Sequence, residues 1–318
     1  MMKVIIEVGS TNTKIDLFDG SKINHLGTET IEFKKNYKKE NKLFESDIRK
    51  LIDIVLKYKS TYSDVYVCGT SIFRNLDKVQ KDEFLTLFNK ETNCSFNIIS
   101  QDEENKLTVF GAVRNVNQKV AVIIGGGGST EIAIYDNGIK EIVNSSFGVV
   151  DITNNFPDLV NDIPTSKLED VRKFVRERLN IPIEKADILI LAGGGHKLFA
   201  LESGINYEKN TLFEDDSEPI MMSLESRKHD TERYYKEISL DEIRSRAENP
   251  KWWDGTRAMC AVVLELAETI GAKYIVPTDI SMVYGIIEEI KWLNIFKIKS
   301  THLLVGTFNF ISFIVSIQ

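Results

Sequence analysis

The chain has 318 residues, 42% of them hydrophobic and 27% charged, and a formal net charge of −7. This composition is that of a globular protein, and the acidic balance disfavours a nucleic-acid partner, because proteins that bind nucleic acids are usually basic. The chain is longer than one hydrophobic core usually allows, so we expect two domains. Its cysteines, Cys68, Cys94 and Cys260, lie far apart, which favours reduced thiols in a cytoplasmic protein.

The first third of the chain predicts three strands followed by alternating helices and strands. The three strand segments are KVIIEV, TKIDLFDG and KINHLGTETIEF, and Asp19-Gly20 between the last two is a hairpin signal. A helix follows in FESDIRKLIDIVLKY, where apolar residues recur at helical spacing. The remaining segments predict the strand DVYVCGT, a helix from about Ser71, a further charged helix, the strand SFNIIS and the helix QDEENKLTVFGAVRN.

The pattern of strand, turn and strand starts again at Val120. Between residues 206 and 250 the chain is polar, and we expect an irregular segment there with one helix at Leu240–Arg246. The other elements predicted in this part are the helix SKLEDVRKFVRERLN, the buried strand ADILILAGGG, the core helix GTRAMCAVVLELAETIG, the strand KYIVPTD and the helix SMVYGIIEEIKWL.

The last segment, Ser300–Gln318, contains no Asp, Glu, Lys or Arg. Three interpretations of it stay open: a final packed strand or helix, a cloning or frameshift artefact, and a membrane tail. We therefore assign residues 296–318 to a separate apolar tail and expect no membrane contact from the rest of the chain.

Two segments of the chain repeat one pattern. When Val4–Gly20 is aligned with Ala121–Gly138, Gly9 falls on Gly126 and Thr13 on Thr130 without a gap before the turn. Each copy contains an apolar strand, a loop of Gly, Ser and Thr, an alternating strand and an Asp-containing turn. The repeat predicts two related domains, residues 1–117 and 118–295.

The loops of the repeated unit are suited to bind an anion. Residues without a Cβ let backbone N–H groups approach a ligand, hydroxyl groups add donors, and phosphate is the usual ligand of such a concave loop. A glycine-rich hairpin can also be no more than a sharp turn, but two matched loops favour binding. Neither loop is a Walker P-loop, because no Lys follows in the required register.

The loops IEVGSTNTKI and IGGGGSTEIAI resemble the two phosphate loops of the actin, sugar-kinase and chaperone-ATPase superfamily. Over about residues 1–292 the chain resembles, within that superfamily, the exopolyphosphatase/guanosine-pentaphosphate phosphohydrolase family. The segments that carry this resemblance, in order, are VCGTSIFRN, IISQDEENKLTVFGAV, GGGGSTE and SSFGVV. It implies an α/β fold with two actin-like (ribonuclease-H-like) domains, each a mixed β-sheet flanked by helices, and a cleft between them.

The resemblance also implies a reaction: hydrolysis of the terminal phosphoanhydride of inorganic polyphosphate or of guanosine penta- or tetraphosphate, with Mg²⁺. Glu104 is the expected general base, and Glu131 is the expected second acid, which holds the metal together with Glu7. Arg74 is an expected phosphate contact. The residues expected to line the phosphate are Ser10, Thr11, Asn12, Gly127, Gly128, Ser129 and Thr130. Whether two copies form a homodimer is left open by the sequence.

The chain departs from the family pattern in both phosphate loops. The family begins each loop with Asp, whereas this chain has Glu7 and Ile124 at those positions, and the family's Ser-Gly before the Glu pair is Ser100-Gln101 here. Because Mg²⁺ prefers oxygen ligands, Ile124 removes one that is expected. Two alternatives to an active phosphohydrolase therefore stay open: a polyanion-binding protein that hydrolyses poorly, and an ATP-dependent sugar kinase or activator ATPase of the same superfamily.

Overall fold

The structure, a computed structural model, describes residues 2–202, 206–211, 220–245 and 250–290. It contains two mixed β-sheets with helices packed on them, which confirms the predicted α/β class. The first sheet has the strand order β3-β2-β1-β4-β5. Its strands are β1 (Lys3–Val8), β2 (Asn12–Phe18), β3 (Ile23–Thr30), β4 (Val65–Gly69) and β5 (Phe96–Ile98).

The second sheet has the strand order β10-β11-β12-β9-β6-β7-β8. Its core repeats the first sheet: an antiparallel meander of three strands comes first, and the first strand of the meander then pairs in parallel with a later one. The internal repeat of the sequence is thus also a repeat of topology. The strands are β6 (Val120–Gly125), β7 (Thr130–Tyr135), β8 (Ile139–Ser145), β9 (Ile188–Ala192), β10 (Glu208–Lys209), β11 (Ile220–Ser223) and β12 (Tyr274–Pro277).

Eleven α-helices are present in the described part of the chain. They are α1 (Phe33–Glu40), α2 (Glu45–Lys59), α3 (Lys78–Thr92), α4 (Gln101–Val113), α5 (Val149–Asn155), α6 (Leu168–Arg176), α7 (His196–Glu202), α8 (Leu224–Lys236), α9 (Leu240–Arg244), α10 (Thr256–Ile270) and α11 (282–290).

Strand alternation determines which face of each sheet meets which helices, because successive side chains point to opposite faces. In β1, Val4 and Ile6 belong to a core shared with α2 and α3, whereas Ile5 belongs to a core shared with α4 and α11. In β6, Ala121 and Ile123 face the core that contains α6 and α10. The opposite face of β6 packs against α4. Both sheets therefore present one face to α4.

Helix α4 connects the two sheets. It begins at the end of β5, where the Ser100 hydroxyl caps it by accepting a hydrogen bond from the Glu103 amide, and its later turns pack on the second sheet. Helix α11 crosses α4 closely, because Gly285 lies against the Leu107 carbonyl, where a Cβ would overlap it. Residues 101–104, the first turn of α4, are thereby placed between the two sheets.

The sequence-based elements are correct in most places and wrong in a few. Residues 206–250 are not irregular apart from one helix, because β11 and α8 lie among the residues described there. Helix α8 was not predicted because its buried face carries Arg227, Asp230 and Thr231 in place of an apolar stripe. Near Ser71 the chain forms a short 3₁₀ helix, Ser71–Asn75, which ends before α3.

The proposed domain ranges, 1–117 and 118–295, stay predictions, and α11 from the second range packs against Ile5 and Cys68 of the first sheet. The apolar segment Ser300–Gln318 lies outside the described residues. Among the helices described, none has both the length and the apolar character that a membrane crossing requires.

Candidate active site

The two Gly/Ser/Thr loops have the same backbone geometry. In the first, the Gly9 amide donates to the Asn12 carbonyl at 2.9 Å, and in the second the Gly126 amide donates to the Ser129 carbonyl at 2.9 Å. Each bond closes a two-residue hairpin between the first two strands of its sheet. The aligned positions of the repeat are therefore equivalent in three dimensions.

In each sheet, the segment that follows the third strand of the meander donates backbone hydrogen bonds to the loop. The Ser10 and Thr11 carbonyls accept hydrogen bonds from the amides of Lys34 and Ile31, at 2.9 and 2.8 Å. Because a trans peptide directs its C=O and N–H groups to opposite sides, the amides of Thr11 and Asn12 point away from this support. They are thereby turned outward, where they can meet a ligand.

The second loop is supported in the same way by α5. The Gly126 and Gly127 carbonyls accept from the Val149 and Val150 amides at 3.1 and 2.8 Å, so the amides of Gly127 and Gly128 point away from α5. Gly148 allows this approach, because a Cβ there would lie 2.6 Å from the Gly126 oxygen. The SSFG motif thus serves to bring α5 against the loop.

The predicted acids lie on the sheet faces that meet α4. Glu7 follows Ile5 by two residues in β1, and Glu131 precedes Ala133 by two residues in β7, so each shares its neighbour's face. Across the strands, Glu7 pairs with Lys14 and Ile124 pairs with Glu131. Ile124, at the position where the family has Asp, therefore lies directly opposite Glu131.

Glu104 and Arg74 contact each other directly. Arg74 Nη1 donates to Glu104 Oε2 at 2.5 Å and to the Ile99 carbonyl at 3.3 Å, and Arg74 Nη2 donates to Gln101 Oε1 at 2.7 Å. Gln101 Nε2 in turn donates to Asn105 Oδ1 at 3.0 Å. A hydrogen-bonded chain from the 3₁₀ helix to α4 therefore determines where the Glu104 carboxylate lies.

This arrangement leaves part of the Arg74 guanidinium available. Of its five N–H donors, Nε and one Nη2 proton have no acceptor among the described residues. The side chain is 22% exposed, so a ligand can reach it. A guanidinium edge of this kind suits bidentate contact with phosphoryl oxygens.

The environment of Glu7 disfavours its negative charge. Burial raises the pKa of the Glu7 carboxyl, the Lys14 ammonium lowers that pKa, and the negative charges of Glu104 and Asp16 raise it. Its Oε2 atom is enclosed and has no hydrogen-bond partner in the described part of the protein. An unpaired buried oxygen with a raised pKa needs a proton or a cation.

Glu131 is 5% exposed, and burial raises the pKa of its carboxyl. A hydrogen bond from Ser129 lowers that pKa, the charge of Glu104 raises it, and the Arg74 cation lowers it. Since Glu104 acts on both Glu7 and Glu131, the three acids share one electrostatic environment.

A magnesium ion fits this donor set only with help from other ligands. Within the described ranges, no group of three or more His, Cys, Asp or Glu side chains is arranged to hold a metal. Glu7 and Glu131 nevertheless supply the carboxylate oxygens that Mg²⁺ prefers, and this ion is often held by one or two carboxylates, water and substrate phosphates. The enclosed Oε2 of Glu7 is the observation that favours such a site.

The predicted site residues do not all face a ligand. The buried Thr130 hydroxyl donates to the Phe147 carbonyl at 2.9 Å and so supports the loop from within. The Ser10 hydroxyl donates to Ser71 Oγ at 2.5 Å, which ties the first loop to the 3₁₀ helix that carries Arg74. The roles assigned to the remaining loop residues stay predictions.

The sequence did not show that two further residues act on the candidate site. Lys14 lies opposite Glu7 in the sheet and is exposed, and its charge acts on the Glu7 carboxyl. The alternation of β2 indicated on which face of the sheet Lys14 lies, but only the pairing register of β1 and β2 showed that Glu7 lies opposite it. Gln101 was noted as a departure from the family pattern, and its contact with Arg74 became visible only in the structure.

Comparison with known proteins identifies similar sequences and folds. The sequence model of the Ppx/GppA phosphatase family matches residues 22–206 of the 318. No curated protein matches the chain in sequence.

Solved structures of similar fold cover nearly the whole chain. A crystal structure of the Ppx/GppA phosphatase from Aquifex aeolicus, the type II variant, is 18% identical, with a TM-score of 0.71 and coverage of 90% of this chain and 98% of that one. An exopolyphosphatase from Cytophaga hutchinsonii is 15% identical, with a TM-score of 0.66 and coverage of 91% and 97%. At these identities the likeness shows the fold alone.

Proposed function

Because the chain belongs to the Ppx/GppA phosphatase family, we propose that it hydrolyses the terminal phosphoanhydride bond of inorganic polyphosphate or of guanosine penta- or tetraphosphate. The observation that supports this most is the direct contact between Glu104 and Arg74 at the start of α4, where the Glu104 charge also acts on the partly buried Glu7 and the buried Glu131. In this proposal Glu104 is the base, and Arg74 and the loop amides bind the phosphoryl oxygens.

In the proposed reaction, Glu104 accepts a proton from the attacking water while the new P–O bond forms and the bridging P–O bond breaks. Orthophosphate leaves as one product, and the shortened chain leaves as the other. Arg74 Nη1 and the Ile99 carbonyl determine the position of the base, since Arg74 bonds to both. Positioning of this kind lowers the entropic cost of the attack.

The loops and Arg74 bind the terminal phosphoryl group in this proposal. The outward amides of Thr11, Asn12, Gly127 and Gly128 donate to its oxygens, and the two remaining N–H groups of Arg74 contact the same group. These donors are rigid because the carbonyl group of the same peptide is already hydrogen-bonded, in the second loop to α5 and in the first loop to Ile31 and to Lys34 in the first turn of α1.

We propose that Glu7 and Glu131 hold Mg²⁺. The ion would neutralise charge on the phosphoryl oxygens. Glu7 has one methylene more than the Asp that the family has at this position. It can still bind the metal, because its Oε2 has no competing hydrogen bond among the described residues. With Ile124 opposite Glu131, the remaining ligands would be phosphate oxygens and water.

The deciding experiment is the release of orthophosphate from polyphosphate by the purified protein, with and without Mg²⁺, followed by a colorimetric phosphate assay. The expected result is release that depends on Mg²⁺. Retention on polyphosphate beads without release would instead favour a binding protein. Formation of ADP from ATP that depends on a sugar, with polyphosphate inert, would favour a kinase.

Gln101→Gly is expected to lower kcat for phosphate release by about 10-fold, because it removes the acceptor of Arg74 Nη2 and lets the Arg74–Glu104 pair move. Steady-state rates on polyphosphate measure this. The matched control is Asp102→Gly, which carries the same glycine cost in the same helical turn without the contact. An equal loss in both variants would contradict a positioning role for Gln101.

Glu7→Gln is expected to stabilise the protein by on the order of 1 kcal/mol at pH 8 without Mg²⁺, because it removes a buried charge. The folded-state pKa of Glu7 lies above the unfolded value of about 4.5, so this group favours the folded state below that value. This contribution is lost as the pH rises through the folded-state pKa of Glu7. The difference in the free energy of unfolding between the wild type and Glu7→Gln is therefore largest above that pKa and shrinks towards pH 4. Urea unfolding across pH measures it.

The same comparison tests the metal site. Mg²⁺ is expected to raise the Tm of the wild type more than that of Glu7→Gln, because only the folded wild type has the full ligand set. Exposed Glu83 supplies the control variant Glu83→Gln. Equal Mg²⁺ shifts in all three proteins would exclude Glu7 as a ligand.

A further inference from the structure

Besides the candidate active site, a second cluster of polar side chains joins β2 to β3, the outer strand of the first sheet as described. His25 Nδ1 lies 2.8 Å from Asp16 Oδ1, and His25 Nε2 lies 3.1 Å from Thr28 Oγ1. An ionised carboxylate can only accept, so Nδ1 carries the proton, and in the neutral ring Nε2 accepts from the Thr28 hydroxyl. The three side chains therefore form one chain of hydrogen bonds, with an acid at one end and a hydroxyl at the other.

A β-bulge brings these side chains to one face of the sheet. His25 and Thr28 are three residues apart in β3, and in a regular strand they would point to opposite faces. Asp16 lies opposite His25 and Lys14 lies opposite Thr28, so two residues of β3 stand between these pairs against one residue of β2. Because a bulge re-aims the side chains that flank it, His25 and Thr28 share the face of Asp16 and Lys14.

The backbone pattern of β2 and β3 places Lys14 close to Thr28. The Ile31 amide donates to the Thr11 carbonyl at 2.8 Å, and hydrogen-bonded pairs alternate with non-hydrogen-bonded ones in antiparallel strands. Counted from that bond, Lys14 and Thr28 form a non-hydrogen-bonded pair, in which side chains are closest and amides point away from the partner strand. The Lys14 ammonium and the Thr28 N–H are therefore the donors next to a group attached at the Thr28 hydroxyl.

The cluster is buried at its acid end and open at its hydroxyl end. The Asp16 side chain is 12% exposed and the His25 side chain 54% exposed, and Thr28 is exposed as well. Burial restricts the position of the carboxylate, whereas a small molecule can reach the hydroxyl. The same order of groups, acid, imidazole and hydroxyl, activates the hydroxyl nucleophiles of hydrolases, because the imidazole takes the proton as the hydroxyl attacks.

We propose that Thr28 is a nucleophile that is acylated by small activated carboxylic esters. Thr28 Oγ1 forms a bond to the ester carbonyl carbon while His25 Nε2 takes the hydroxyl proton. The Lys14 ammonium and the Thr28 amide stabilise the oxyanion of the tetrahedral intermediate. This intermediate expels the alcohol or phenol, which receives the proton from His25, and an ester of Thr28 remains. Asp16 keeps the imidazole in the tautomer that can accept the proton. Glu104 takes no part, so the proposal is independent of the proposed hydrolysis.

The test incubates the full chain with p-nitrophenyl acetate at pH 8 and locates acetyl groups by peptide mass spectrometry. Neutral hydroxylamine removes an acetyl ester of threonine and leaves acetyl-lysine intact. We expect a hydroxylamine-sensitive acetyl group on Thr28, formed at least about 10-fold more slowly in His25→Gln, because general-base catalysis contributes about 10² or more. The control is Thr30→Val, on the same face of β3, since the hydrogen bonds of His25 go to Asp16 and Thr28 and not to Thr30. It should label Thr28 as the wild type does.

Long-range ¹H–¹⁵N NMR spectra test the positioning role of Asp16. They show which ring nitrogen carries the proton, and His25→Gln identifies the His25 signals among those of the four histidines. We expect the proton on Nδ1 in the wild type and a shift of the population towards Nε2–H in Asp16→Asn, which a purely structural role of Asp16 does not produce. A wild type with the proton on Nε2, no acetyl ester on Thr28, or equal labelling in the wild type and His25→Gln would each overturn the proposal. So would equal p-nitrophenol release by the wild type and Thr28→Val, because His25 alone would then attack the ester.

Discussion

Glu104→Gln is expected to lower kcat for orthophosphate release from polyphosphate by about 10³-fold, the largest effect on activity that we anticipate. A general base contributes about 10² to 10⁴ in rate, and an amide cannot take the proton from water. The exchange conserves shape, and the amide oxygen can still accept from Arg74 Nη1. The loss should therefore appear in kcat, with polyphosphate binding changed by less than about 3-fold.

The neighbouring residue supplies the control for this variant. Glu103→Gln makes the same chemical change in the same helical turn, but the hydrogen bonds of Arg74 go to Ile99, Glu104 and Gln101 and not to Glu103. It is expected to keep kcat within about 2-fold of the wild type. If Glu103→Gln lost activity and Glu104→Gln did not, the assignment of the base would be wrong. If both variants were fully active, water would be activated elsewhere.

Arg257→Met is expected to lower the free energy of unfolding by at least about 4 kcal/mol, the largest effect on stability. Arg257 is 1% exposed, and all five of its N–H donors reach backbone carbonyls. Loss of the guanidinium would remove the Arg257 donor from all five carbonyls, and among them the Asp162 carbonyl keeps a hydrogen bond from the Leu240 amide. The acceptors are the carbonyl oxygens of Leu159, Asn161, Asp162, Tyr234 and Ile238, at 2.6 to 3.0 Å.

Urea unfolding followed by circular dichroism measures this effect. Arg257→Lys retains the charge but has three donors on one nitrogen, so it is expected to recover less than half of the loss. Arg178→Met is the control, because the Arg178 side chain is 43% exposed and lies over the Phe174 ring. It should cost less than about 1 kcal/mol. A comparable loss in Arg178→Met and Arg257→Met would contradict the role assigned to the Arg257 network.

The repeat is the part of the fold that was most accessible from the sequence. Gly9 and Gly126 occupy equivalent hairpins with the same closing hydrogen bond, as the alignment predicted. Such loops leave a clear pattern, because both the requirement for glycine and the alternation of the flanking strands are local properties of the chain.

Helix α8 escaped prediction because its buried face has no apolar pattern. Helix α8 buries Arg227 and Asp230, and nothing nearby in the sequence shows that these polar residues lie inside. In the sequence, Arg257 is one polar residue within a core helix. Nothing there indicates its hydrogen-bond partners, which lie up to 98 residues away. Burial of this kind is decided by distant segments, and a periodicity argument cannot detect it.

By itself, the sequence determined the internal repeat and the two glycine-rich hairpin loops, because these features depend on residue type and local spacing. The α/β class and Glu7, Glu104 and Glu131 as candidate acids came from the resemblance of its motifs to a known family. Only the tertiary structure decided how the acids are paired: Glu7 opposite Lys14, Ile124 opposite Glu131, and Glu104 bound to Arg74. Strand register and the packing of α4 between two sheets set those pairings. Both result from contacts between segments far apart in the chain, and such contacts leave no local pattern.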